Sequence, residues 1–316
     1  MTREFYALAE LDSALQSTRD LLWPFRLGVW LRLAVIAFFV GGGGGAPQIS
    51  WTPDADLPGE MISPVTFPGL PDLPGLAVVL AIVAAVMIAV LVYLLIGAIF
   101  QFVFVDCVST RDVVLSRFFR LRAGKGARLF LFQIGITILF IAVLAAALLP
   151  FFLAPGRVIG VSNLLALLFL IPVVLIVAIL FALVMLFTID FVVPIMIRDD
   201  CGVIEGWRRL LAAFSLQWMQ VLVYVIVRFL AGLAAGILMI ILTLLALAII
   251  AVPFVLIGLL YWWLQVTVFM LLPLIIPYLI IAVPAVLLIM VPFITFFRSY
   301  SLKVLGRLAP DYAMLP

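Results

Sequence analysis

The chain has no histidine, only two cysteines, and few charges: 18 lysines and arginines and 15 aspartates and glutamates, 10% of its 316 residues. Without histidine, H-E-x-x-H zinc proteolysis, a Ser-His dyad and most metal-ligand clusters are excluded at once. Cys107 and Cys201 both fall in segments expected to face the cytoplasm. That is a reducing place, so no disulfide is expected, and two isolated thiols make a poor metal site. Paired carboxylates inside an apolar run are missing too, since Asp106 and Asp190 each stand at the end of one, where capping or an interfacial role is the ordinary reading. An enzyme would need an unusual arginine, aspartate or tyrosine constellation, and no cofactor is expected. The net charge of +3 is too small to imply a nucleic-acid partner.

What the chain does have is apolar residues, 68% of the total against roughly 45–50% in soluble domains, with a mean hydropathy of +1.44. They come in blocks longer than the ~20 residues that cross a hydrocarbon core, which points to transmembrane helices and not to the alternating strands of a barrel. No secretory signal is expected, because the first turns of the chain carry Glu4, Glu10, Asp12 and Asp20.

Residues 5–22 read as an amphipathic helix, with Leu8, Leu11, Leu15 and Leu22 opposite Asp12, Gln16, Arg19 and Asp20, ending at Trp23-Pro24. A first span over 25–40 is short and runs into Gly41 to Gly45. Residues 41–74 are proline-rich, contain Asp54, Asp56, Glu60 and Asp72 and no basic residue, and read as a solvated external loop; the acids lack the spacing of a calcium loop. The second span covers 76–105 and the third 129–153. Between them, the 106–128 segment holds Arg111, Arg117, Arg120, Arg122, Lys125 and Arg128. This basic cluster is expected to face anionic lipid headgroups, at about 1 kcal/mol per residue near the surface. Gly124-Lys125-Gly126 lacks the spacing of a phosphate loop.

A fourth span covers 164–189, with Pro172 as an expected kink. The 190–216 segment then leaves the membrane and returns. Within it, Val203, Ile204, Trp207, Leu210, Leu211 and Phe214 fall on one side of a helical wheel and Glu205, Arg208, Arg209 and Ser215 on the other. Residues 218–297 carry one charge, Arg228, and divide into two long spans with a turn expected over 253–263. There Tyr261-Trp262-Trp263 suits an interfacial belt, and Pro273, Pro277, Pro284 and Pro292 predict a broken last span.

These assignments make an all-α polytopic transmembrane bundle of about six spans with amphipathic cytoplasmic helices. Residues 1–24 form a cytoplasmic amphipathic helix, 25–297 the membrane domain and 298–316 a cytoplasmic tail. Arginines and lysines concentrate in alternate loops, and the opposite loops carry only Arg157, so both termini are expected in the cytoplasm. Spans two to three and four to five are joined alike, by an apolar exit, an acid and an arginine-bearing segment, a weak internal repeat.

Two cations fall inside apolar runs. Arg32 lies close enough to a span end to snorkel to headgroups. Arg228 lies ~16 Å beyond Gln217, where exposure to lipid costs at least ~2.5 kcal/mol, so it must face protein or water. Asp190 is the preferred partner, with carbonyls freed by Pro273 or Pro277 as the alternative. Just beyond it, Gly232 and Gly236 form a G-x-x-x-G run expected to pack within the bundle.

The run from Ala14 to Phe25 (A-L-Q-S-T-R-D-L-L-W-P-F), Trp30-Leu31-Arg32-Leu33-Ala34, and Phe297-Arg298-Ser299-Tyr300-Ser301-Leu302 resemble an uncharacterised family of archaeal multi-pass membrane proteins, haloarchaeal and methanogen members among them. That resemblance brings no activity. Asp190-Phe191-Val192-Val193-Pro194 with Trp207-Arg208 is distantly similar to the membrane region preceding bacterial glycerophosphodiester phosphodiesterase domains. The catalytic domain itself is absent, so no phosphodiesterase activity carries over.

The favoured reading is a non-enzymatic scaffold, or a subunit contacting lipid or another membrane protein. The alternative is a small permease with Arg228 in its pathway; an intramembrane enzyme comes third. A pathway needs several polar side chains converging near Arg228, whereas a scaffold would bury it with one partner.

Overall fold

A computed structural model of the chain describes residues 6–41, 73–113, 115–153, 161–263 and 272–315. The proline-rich loop with its acids, the turn at Pro155-Gly156-Arg157 and the side chains of Tyr261 and Trp262 lie outside the described residues. The fold is all-α and polytopic. Its helices are α1 (Tyr6–Leu22), α2 (Leu27–Val40), α3 (Leu73–Thr110), α4 (Leu115–Leu153), α5 (Val161–Phe187), α6 (Val193–Arg198), α7 (Val203–Leu216), α8 (Trp218–Trp263) and α9 (Leu272–Leu308), with a π turn over Thr188–Val192 joining α5 to α6. In lipid every backbone N–H and C=O must be satisfied internally, which is why apolar runs of this length become unbroken helix.

Among the described residues five helices are long and apolar enough to cross a membrane, and α2 is a shorter apolar helix. At 14 residues, α2 is about 21 Å long, less than the ~30 Å hydrocarbon core. The Tyr300 hydroxyl donates to the Ala7 carbonyl at 2.9 Å and Arg307 pairs with Glu10 at 2.7 Å, so α1 and the C-terminal end of α9 lie on one side. An even number of crossings between them would need α2 as a sixth span beside the five long helices.

Several boundaries differ from those read in the sequence. The 106–128 segment is not a loop: α3 continues to Thr110 and α4 starts at Leu115, because its leucines, arginines and alanine are good helix formers. Residues 298–308 are not tail but the last turns of α9. That helix is continuous through Pro277, Pro284 and Pro292, and α8 runs through Pro253 to Trp263 where a turn was expected. Each proline removes one backbone bond, whereas breaking the helix in lipid would strand several.

The core is concentrated at the arginine-rich end of the bundle. Phe102 to Val105 of α3, Phe191 to Met196 through the π turn and α6, Tyr224 of α8, and Val291, Tyr300, Leu302, Val304 and Leu305 of α9 are all buried. Here α4 crosses α3 closely: a Cβ on Gly126 would come within 2.7 Å of the Ile99 backbone. Toward the far end burial falls away: residues 77–92 of α3 are exposed on every side among the described residues, although α8 and α9 still meet there through Phe254 and Tyr278, ring centroids 5.5 Å apart.

The two hinges of the internal repeat share a backbone device. Arg111, after α3, and Asp200, after α6, both adopt positive φ, 56° and 52°, the left-handed conformation that often stops a helix. Asp suits it better than a long side chain does, but Arg111 is placed in the same way.

Candidate functional site: a buried ion-paired cluster

The site is assembled around a proline. Pro194 has no N–H, and the turn before it is in π register, with the Val193 N–H donating to the Thr188 carbonyl five residues back. One residue further in that register, an N–H at 194 would reach Ile189. The Ile189 carbonyl is therefore left over, and Arg298 of α9 donates to it through Nη1 at 2.8 Å. Its Nη2 donates to Oε1 of Gln101 on α3. A single guanidinium thus ties α9 to α3 and to the π turn.

The same turn carries Asp190. Its Oδ2 accepts from the Tyr224 hydroxyl at 2.8 Å and from Nε of Arg228 at 3.3 Å, both on α8 and one helical turn apart. Asp190, Arg228 and Arg298 expose only 4%, 8% and 4% of their surface. The Arg228 guanidinium also sits 3.8 Å above the Phe297 ring, and that of Arg298 sits 5.4 Å from the Phe104 ring. Phe191 and Tyr300 flank Tyr224, with ring centroids at 4.8 and 5.6 Å, and complete an aromatic wall. In such surroundings charge pairs interact more strongly than in water, and any unpaired group costs correspondingly more. Beside the cluster lies a cavity of about 40 Å³, lined in part by Arg228, Arg298, Asp190 and the last turn of α2 at Val40 and Gly41.

Sequence reading singled out Arg228 and Asp190, and the fold places them in contact. It missed Arg298, Gln101 and Tyr224. Arg298 is the first residue of the 298–316 segment that reads as a cytoplasmic tail, and the signal that separates it is Pro194, which leaves a carbonyl in need of a donor. For Arg228, the Asp190 carboxylate is its hydrogen-bond acceptor, not a carbonyl freed by Pro273 or Pro277. The Gly232 backbone has nothing within 4 Å of a built Cβ, so close packing within the bundle does not occur there.

The basic cluster divides. Arg117, Arg120 and Arg128 are exposed and Arg111 lies 3.8 Å from Asp20, both largely exposed. Arg122 instead makes a two-pronged bond to the Asp106 carboxylate at 2.7 and 3.1 Å. Lys125 donates to the Met196 carbonyl at 2.8 Å and pairs with Asp200 at 2.5 Å, closing the end of α6. Those two are turned to protein and not to lipid. The lysine's hydrogen bond holds the Asp200 carboxyl below its ordinary value. Arg32 does not snorkel freely; its Nη1 donates to the Val113 carbonyl at 2.8 Å, in the turn between α3 and α4.

Helix α7 is pinned by Trp207, whose Nε1 donates to the Thr188 hydroxyl at 3.2 Å, and by Gly206, where a Cβ would approach Val192 to 2.9 Å. Its apolar face is split. Val203 and Leu210 are buried against the bundle, while Ile204 and Leu211, on the same side of the wheel, are exposed at 81% and 56%. On the polar face Arg209 bonds Asp199 and, at 3.2 Å, Glu205, and the Asp199 carboxylate first and Glu205 second push the guanidinium above its ordinary value.

Fold and site together define a polytopic helical membrane protein with a buried, ion-paired junction of α3, α8, α9 and a π turn. Residues 5–315, nearly the whole chain, match a family of unknown function, DUF7544, and the protein belongs to it. Comparison with curated proteins and with solved structures gave no match.

Proposed function

We propose that this protein is a non-enzymatic scaffold of the cytoplasmic membrane, with both termini inside, that presents its far-end helices and the exposed part of α7 to lipid or to another membrane protein. The observation that carries the reading is the pairing of the site's charges within the protein. The cavity beside Arg228 is about 40 Å³, room for a water or an ion of similar size. Its charged groups are already engaged with a carboxylate, a carbonyl and an amide. The resemblances fit this reading. In the arrangement seen before bacterial glycerophosphodiester phosphodiesterase domains, such a region would be the membrane part serving a separate soluble domain, and an archaeal origin would make the partner a protein of that membrane.

One observation favours the permease alternative: Arg298, Gln101 and Tyr224 converge with Arg228, more polar groups than a single structural pair requires. Flux into proteoliposomes separates the two. The scaffold reading expects vesicles holding the wild-type protein or Arg228→Leu to retain ions and small solutes as well as empty ones do. A flux carried by the wild type and lost in Arg228→Leu would overturn it. Reporter fusions at Met1 and Pro316 should both read as cytoplasmic.

A further inference from the structure

The geometry points to a binding site for one small monovalent anion, of chloride size, between Arg228 and Arg298. It goes beyond the scaffold reading and requires no transport. Both guanidinium groups line the cavity of about 40 Å³, and Asp190 is the one carboxylate among its lining residues, so two cations face one anion. An arginine cannot shed its proton to relieve the imbalance, and an uncompensated cation at this depth is costly. Carbonyl and amide dipoles reduce that cost without cancelling the charge.

The donors needed to hold an anion are present. Each guanidinium has five N–H groups. Arg298 directs one to the Ile189 carbonyl and one to Gln101, and Arg228 directs Nε to Asp190. Phe297 covers the flat face of Arg228 at 3.8 Å, which leaves the edges, where the remaining N–H groups point, as its binding surface. Size then selects the ligand. The cavity exceeds the ~10–15 Å³ that a water requires, and at about 40 Å³ it suits a single small ion better than a phosphate headgroup with its glycerol. A halide fits, and its charge makes the cluster neutral.

The test is the melting temperature of the purified full-length protein in detergent, in sodium chloride or bromide against sodium gluconate at constant ionic strength. Halide should raise the wild-type melting temperature in a saturable way, and Arg298→Gln should melt cooperatively with no halide dependence while Arg298→Lys retains it. Equal wild-type melting in halide and gluconate would overturn the assignment, as would an undiminished halide response in Arg298→Gln. Should Arg298→Gln not fold, anomalous diffraction from wild-type crystals grown in bromide decides: a bromide peak within hydrogen-bond reach of both guanidinium groups supports the site, and a water or empty density there refutes it.

Discussion

The two ends of this bundle are built from the same apolar residue types and behave as different materials. At the arginine-rich end, α1, α3, the π turn, α8 and α9 meet over a continuous core, and nearly every buried polar group is placed against a named partner, as Asp190, Arg228, Arg298 and Gln101 are. At the far end, Val78, Leu80, Ile82, Val86 and Ile88 of α3 are all more than half exposed, as are Leu244, Ile249 and Leu256 of α8. The difference lies in what holds helices together in lipid. Apolar side chains gain little by leaving lipid for protein, so helices stay apart unless polar contacts or close backbone approach join them. Among the described residues both are concentrated at the arginine-rich end.

The comparison breaks most directly at Asp190. Asp190→Ala leaves Arg228 and Arg298 in a buried site without a carboxylate and removes the acceptor of the Tyr224 hydroxyl. The expected loss is about 3–5 kcal/mol, read from reversible unfolding in mixed micelles, together with reduced yield.

Close approach is tested next. Gly126→Ala drives a methyl into the Ile99 backbone and should cost about 1–3 kcal/mol in the same assay. Gly232→Ala, toward the far end, meets nothing, so the better helix propensity of alanine should leave stability unchanged or raised by up to ~1 kcal/mol. Equal losses at both glycines would erase the distinction between the ends.

The smallest effect belongs to the surface of the packed end. The Asp200 carboxyl is held below its usual 3.8 by Lys125, so the pair contributes above that pH and its contribution fades as pH falls through the lowered value. An NMR titration of Asp200 should show a midpoint below 3.8 that returns toward 3.8 in Lys125→Met.

Much of this was legible in the sequence for physical reasons. Uninterrupted apolar runs permit only helix in lipid, the 203–215 wheel predicts α7, and a mid-run arginine must seek protein, which leads from Arg228 to the nearest acid by topology. The rest was not. Prolines in α9 read as breaks because propensity in water is a poor guide where no solvent can satisfy a broken backbone. Arg298 read as tail because loop-charge counting sees the charge and not the carbonyl that Pro194 leaves open. Ile204 and Leu211 sit on the apolar side of their wheel, but periodicity identifies a face without saying whether protein or lipid covers it.

The central claim is that Asp190 is the counter-charge that lets Arg228 remain buried. A double-mutant cycle between Asp190→Ala and Arg228→Leu measures it. Removing the arginine along with the aspartate should recover part of the stability lost in Asp190→Ala, because the stranded cation is replaced by an apolar side chain. If the two losses instead add, with the double mutant weaker than Asp190→Ala alone, the pair is not what holds this end of the bundle together.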